Sequence, residues 1–250
     1  MKTQEIPYYL NSINKWHILT PLIVLITISI LSQFTDFELL IENAFYINDT
    51  QRWLGESTWW LNTQTHDWER DLIVYVFIFS FSLFILSFFQ NSRIKYNRRI
   101  TAYLCLTIVL STFTIGLGKI YSNVDCPRDL NLYGGTQPYI HVFSEKPDNL
   151  PEGHCFPGAH SSGAFSLYSL YFIFLIINPR ASRKVLYFIT SLGLFYGFTQ
   201  WARGSHFISH DIWSGIIDWY ICLGLFYIMF YRFNKHSYRL EFHKIDKKTR

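Results

Sequence analysis

Six apolar stretches alternate with strongly polar connectors, at about 17–34, 71–90, 101–118, 161–178, 185–201 and 212–231. Several approach the roughly 20 residues an α-helix needs to cross the hydrocarbon core of a bilayer. The pattern predicts an all-α, polytopic membrane helical bundle with about six transmembrane helices, forming a single membrane domain over residues 1–250. The third and fifth stretches are short or interrupted by Gly and Thr, so their ends are the least defined. The first begins near Leu19 without a small-x-small cleavage site after it, and reads as an uncleaved anchor. A soluble helical domain with buried core helices is the other reading, and windows this close to spanning length disfavour it.

Composition sharpens the picture. Half of the 250 residues are hydrophobic, with 23 Phe, 17 Tyr and 8 Trp. Mean hydropathy is nevertheless only +0.11, because apolar blocks alternate with very polar loops. The net charge of +4 matters less than its distribution. Arg93, Lys95, Arg98 and Arg99 crowd the second connector, and Arg180, Arg183 and Lys184 the fourth. Lys2 and Lys15 precede the first span, and Arg232, Lys235, Arg239, Lys244, Lys247, Lys248 and Arg250 follow the last. Under six spans these regions share one side, which the excess of Lys and Arg on cytoplasmic loops makes the inner one. The first loop is acidic instead, with Asp36, Glu38, Glu42, Asp49, Glu56, Asp67 and Glu69 against Arg52 and Arg70. The expected orientation is N-in and C-in, in a cytoplasmic membrane. The first loop also holds Trp53, Trp59, Trp60 and Trp68, read as an interfacial aromatic belt or a half-buried helix lining a lipid route.

That orientation puts the third and fifth connectors outside. They carry three polar clusters: Lys119 with Cys126-Pro127-Arg128; Phe156-Pro157-Gly158-Ala159-His160; and Arg203-Gly204-Ser205-His206 followed by His210-Asp211. Charges and histidines beside a bilayer cost free energy, so clusters gathered at one membrane level read as a site. Cations, imidazoles and a carboxylate are the means of breaking a phosphate ester without a metal. Of the four cysteines, Cys105 and Cys222 lie in apolar runs as packing residues. Cys126 and Cys155 share the outer loop, as a disulfide if the compartment is oxidising or otherwise as two free thiols.

These clusters resemble the type-2 phosphatidic acid phosphatase superfamily, which shares its site with vanadium haloperoxidases. The family pattern is Lys-x6-Arg-Pro, Pro-Ser-Gly-His and Ser-Arg-x5-His-x3-Asp, and the resemblance covers roughly the last 135 residues, with the catalytic core at about 115–215. Lys119 and Pro127 match, but Cys126 stands at the Arg position and Arg128 follows the proline. Pro157 and His160 match, while Gly158 and Ala159 replace Ser and Gly. Backbone N–H groups there can still bind an anion at a helix start, and Ser161 and Ser162 are read as caps. In the third cluster Gln200 falls at the strict Arg position, with Arg203 one turn later, and His210 looks like an insertion between His206 and Asp211.

The resemblance implies that Lys119, Arg128 and Arg203 hold the phosphoryl oxygens, with Gly158 and Ala159 adding backbone contacts. His206 is the nucleophile, His160 the general acid, and Asp211 or His210 the group that orients His206; a rival register makes His210 the nucleophile. It implies a metal-independent hydrolase of a lipid phosphate monoester or pyrophosphate, acting through a phosphohistidine at the outer, periplasmic face. Phosphatidic acid, phosphatidylglycerol phosphate, undecaprenyl pyrophosphate and lipid A are the substrate options. No cofactor, metal or nucleic-acid partner is expected beyond the bilayer and its lipids. The alternatives are lipid-to-lipid phosphotransfer, a non-catalytic lipid or anion binder, and a metalloenzyme using His206-x3-His210 with His154, His160 and Asp211. The three cations disfavour the last, since they repel a metal ion.

Overall fold

A computed structural model describes residues 13–56, 58, 65–89 and 98–232. Arg93, Lys95, Lys2, Trp59, Trp60 and the basic tail from Lys235 onward, all used in the sequence reading, lie outside them. The order is α1 (Trp16–Phe34), α2 (Phe37–Glu42), a hairpin of β1 (Tyr46–Ile47) and β2 (Arg52–Trp53), α3 (Thr65–Leu86), α4 (Arg98–Ser122), α5 (Ala159–Phe165), α6 (Tyr168–Ile177), α7 (Pro179–Trp201) and α8 (Ile208–Phe226). Tyr46 pairs with Trp53 and Ile47 with Arg52 in the antiparallel hairpin. The remainder of the described fold is helical or looped.

Among the described residues, four stretches are long and apolar enough to cross a membrane: α1, α4, Ala159–Ile177 (α5 with α6) and Ile208–Phe230. The other two expected spans, at about 71–90 and 185–201, are helices that fall outside this measure. The apolar part of α3 is the shorter Asp71–Leu86, and α7 spends its first turns on Arg180, Arg183 and Lys184. Asn178 caps α7 by accepting a hydrogen bond from Ala181 N, and Pro179 sits where a missing N–H costs nothing.

The bundle is inside-out relative to a soluble protein. Ile23, Ile26 and Ile30 on α1, Phe79 on α3, Phe113 on α4 and Phe188 on α7 are all exposed. So much outward apolar surface is unfavourable in water and suits a lipid surround. Inside, Tyr103, Phe165, Tyr168, Phe172, Ile189, Cys222 and Phe226 form the core. Tyr103 donates its buried hydroxyl to Cys222 O at 2.8 Å, so even this polar group is satisfied.

A second cluster of Tyr46, Trp53, Leu130, Tyr133 and Phe207 caps one end of the bundle. Trp53 is only 3 % exposed, so it belongs to this cap and not to an interfacial belt. Gly55 N donates to Ala202 O at 2.6 Å, docking the first loop onto the turn after α7. Gly204 in that turn has φ +61°, and a Cβ there would collide with the Trp53 indole. Glycine is therefore required twice over, by backbone conformation and by close approach. The cap, the C-terminal ends of α4 and α7, and the N-terminal ends of α5 and α8 all meet at this end.

Candidate active site

The three polar clusters are sewn together by backbone bonds. Arg128 N donates to Gly204 O at 2.9 Å, joining the first cluster to the third. Gly158 N donates to His210 O at 3.1 Å, and Ser214 Oγ to Gly158 O at 2.7 Å, joining the second to the third. Lys119, in the last turn of α4, points its Nζ at His154 O (3.3 Å) and Cys155 O (3.5 Å), joining the first to the second. A disulfide between Cys126 and Cys155 makes the same link covalently.

His206 lies on the floor, 4 % exposed, just before α8. Its ring centroid is 6.4 Å from that of His160 and 5.8 Å from that of His210. His160 and Lys119 are half-buried and Arg128 is exposed, so the cluster reaches the surface on their side. The His206 imidazole is held well below its ordinary pKa, first by burial and then by Lys119, His210, His160 and Arg128. Burial and the neighbouring cations both favour its neutral form.

Cys155 Sγ lies 3.4 Å from His206 Nδ1 and 2.8 Å from Ser205 O. A disulfide sulfur has no hydrogen to give, so the contact with Ser205 is close packing, whereas His206 Nδ1–H can donate to the sulfur as a weak acceptor. His210 is 1 % exposed and is wedged edge-on between Phe156 and Phe207. Its Nδ1 has no hydrogen-bond partner.

Asp211 is held at both carboxylate oxygens. Ser161 Oγ donates to Oδ1 at 2.5 Å and Trp201 Nε1 to Oδ2 at 2.6 Å. The carboxylate thus ties α5, the end of α7 and the start of α8 into one buried junction. It also accounts for Gly158, because a Cβ at that position would collide with Asp211 Oδ1 and crowd Ser161 Oγ. Where the family places a serine hydroxyl, this chain places Ser161 and Asp211. Ala159 is exposed beside Gly158. Arg203 is half-buried at the docked first loop, with its Cγ about where a Gly55 side chain would begin (2.6 Å). Lys119 and Arg128 are among the charges that lower the His206 pKa.

Several residues were not recognisable from the motifs. Glu38 and Glu42, on α2, are 2 % and 0 % exposed. Glu38 accepts hydrogen bonds from Ser209 Oγ and from Tyr139 OH, the latter at 3.1 Å. Burial raises its pKa, and raises that of Glu42 further with the help of Glu38 and Asp211 nearby. In the sequence the two counted only toward the acidity of the first loop; their i, i+4 spacing inside Phe-Glu-Leu-Leu-Ile-Glu was the available signal. Asp218, fully buried in α8 near Ser111 and Ser162, was signalled by its place within an apolar run.

The family model for the PAP2 superfamily matches residues 100–234, more than half of the chain and all three clusters. The chain belongs to the PAP2 superfamily. Membership makes a phosphatase-type hydrolase the coarse activity, and the apolar helices agree with a membrane protein. No curated protein and no solved structure gave a significant match.

Proposed function

We propose that this protein is an integral-membrane lipid phosphatase that works through a phosphohistidine on His206. The observation that carries the proposal is the convergence on one buried, neutral imidazole of Lys119, Arg128 and His160 from separate parts of the chain. Lys119 and Arg128 neutralise the phosphoryl oxygens, Arg128 with a planar fork suited to them. With its proton on Nδ1, toward the disulfide sulfur 3.4 Å away, His206 keeps the Nε2 lone pair for in-line attack on phosphorus. The P–O bond to the lipid breaks as the N–P bond forms, and His160 gives the departing oxygen its proton. His160 then takes a proton from water, which cleaves the N–P bond and releases phosphate. Positioning and charge supply most of the acceleration.

In this reading Asp211 is a positioning residue that fixes α5 against α8. The exposed apolar helices make a lipid the natural carrier of the phosphate, and the charge asymmetry supports an external site. The test is phosphate release from vesicles containing phosphatidic acid, phosphatidylglycerol phosphate, undecaprenyl pyrophosphate or lipid A, with EDTA present. Wild type and His210→Ala should release phosphate and His206→Ala should not. Loss confined to His210→Ala would transfer the nucleophile's role to His210. Transfer of phosphate to a second lipid without release would make the enzyme a phosphotransferase.

A further inference from the structure

A groove of about 530 Å³ runs between α1, the α5–α6 segment, α7 and α8. None of Lys119, Arg128, His160, His206 and His210 lines it. Its walls are mostly apolar, among them Val24 on α1, Leu194 on α7 and Ile212, Ile216 and Trp219 on α8. Val24 and Leu194 are exposed, so the groove opens sideways, where a bilayer places hydrocarbon. Its volume lies within the roughly 300–1,000 Å³ of pockets that enclose most of a small ligand, which is room for part of one lipid chain. At one end of the groove α1 is pinned to α8, where Trp219 Nε1 donates to His17 O and Tyr220 OH to Ile18 O, both at 2.8 Å. Farther along α1, Pro21 and Val24 line the groove and do not close it.

The pinned end is polar and cationic. His17 Nε2 and Tyr171 OH share a hydrogen bond at 2.9 Å, and Tyr168 OH and Thr190 Oγ1 another at 3.1 Å. Lys15 Nζ lies 5.4 Å from the ring centroid of Trp16, and the Arg183 charge acts on the Tyr171 hydroxyl. Trp16 and Tyr171 both line the groove, so one cation from the start of α1 and one from α7 stand beside its lining. Both are exposed, and among the described residues neither is paired with a carboxylate. Trp219 lies about 16 Å along α8 from Ile208, at about 1.5 Å per residue. This end is therefore far from His206, on the side that the N-in orientation makes cytoplasmic.

We propose that this groove binds an anionic phospholipid of the inner leaflet, separate from the substrate. Its phosphodiester head group sits against Lys15 and Arg183, and part of one acyl chain lies between α1, α7 and α8. Hydrocarbon gains no hydrophobic energy by leaving the bilayer, so the chain contributes packing and the charges decide the selectivity. A negative phosphodiester gains from both cations, each worth about fivefold in binding at a membrane surface. A zwitterionic lipid carries its own cation and gains little. The site does not rest on the role of His206, and a phosphodiester is neither the monoester nor the pyrophosphate that the proposed reaction cleaves.

The experiment is native mass spectrometry of delipidated protein in detergent, titrated with dioleoyl phosphatidylglycerol or dioleoyl phosphatidylcholine. Wild type and His206→Ala should each take up a single phosphatidylglycerol in preference to phosphatidylcholine. The double variant Lys15→Gln/Arg183→Gln should bind phosphatidylglycerol about 10–30-fold more weakly, with phosphatidylcholine binding unchanged. Val24→Trp, which fills the groove from its exposed rim, should weaken both lipids. No preference in wild type, or a preference intact in the double variant, overturns the proposal, and undiminished binding by Val24→Trp overturns the groove as the chain's place. Loss of phosphatidylglycerol in His206→Ala would put the lipid in the active site, and a lipid-free dimer would make a second copy the occupant; either contradicts the proposal.

Discussion

At the residue scale the decisive quantity is the protonation of His206. Its pKa is depressed by burial first and by Lys119 foremost among the charges. In the proposed mechanism the neutral form is the reactive one, so the acid limb of kcat/KM should lie below the ordinary imidazole value of about 6.5. Lys119→Gln removes that cation and raises the His206 pKa. The limb should then move to higher pH while kcat/KM falls by roughly 10–100-fold, the loss expected for one charge-assisted contact; a limb that stays put or moves down would count against the account. The linkage has the same sign. Between the folded value and about 6.5 the unfolded chain binds the proton better, so this group's contribution to stability declines as pH falls through that window.

Gly158 makes a second residue-scale prediction. Restoring the family's serine would add a Cβ where Asp211 Oδ1 lies. Gly158→Ser should therefore lower stability by about 1–3 kcal/mol, the usual cost of overpacking, and lower activity as well. Thermal unfolding in detergent, followed beside phosphate release, checks both; a gain in either would mean that the hydroxyl is simply missing from an otherwise ordinary site.

Among the elements, the first loop is held to the turn after α7 by Trp53 over Gly204 and by Gly55 N to Ala202 O. Gly204→Ala strains a positive φ and displaces the indole. It should cost on the order of 1–3 kcal/mol and loosen the cap, visible as faster proteolysis between α2 and α3 with α4–α8 still folded. Uniform loss of the whole bundle would show instead that the cap is not a separable layer.

The elements also show what the sequence can and cannot convey. The six apolar runs become helices because hydrophobic length is a local property, and the three clusters meet because each sits at a run's end. The contacts of Asp211 with Ser161 and Trp201 were not legible. Its partners, Ser161 and Trp201, are 50 and 10 positions away, and a motif records spacing along the chain but not who donates to whom. Glu38 and Glu42 were hidden for the same reason, since an acid in a loop and an acid under a cap read alike. The nearness of His206 to His160 was legible from the motifs, and the structure brings their ring centroids to 6.4 Å.

At the scale of the whole molecule, the end of the bundle that holds the site should face outward. Leu132, exposed in the loop after α4, and Arg180, exposed at the start of α7, lie on opposite sides in this account. Leu132→Cys should react with a membrane-impermeant maleimide on intact cells, and Arg180→Cys only after permeabilisation. The reverse pattern would invert the topology and put the disulfide in the cytoplasm, where reduced thiols prevail.

The central claim is that His206 carries the phosphoryl group, and trapping it is the most direct measurement. p-Nitrophenyl phosphate has a leaving group that needs little help from an acid. His160→Ala should therefore still form the intermediate from it while losing about 10²–10⁴-fold in its breakdown. Rapid quenching of this variant into alkali, then peptide mapping, should find acid-labile, base-stable phosphate on His206. Phosphate on His210, or steady turnover with no labelled histidine, would contradict the account.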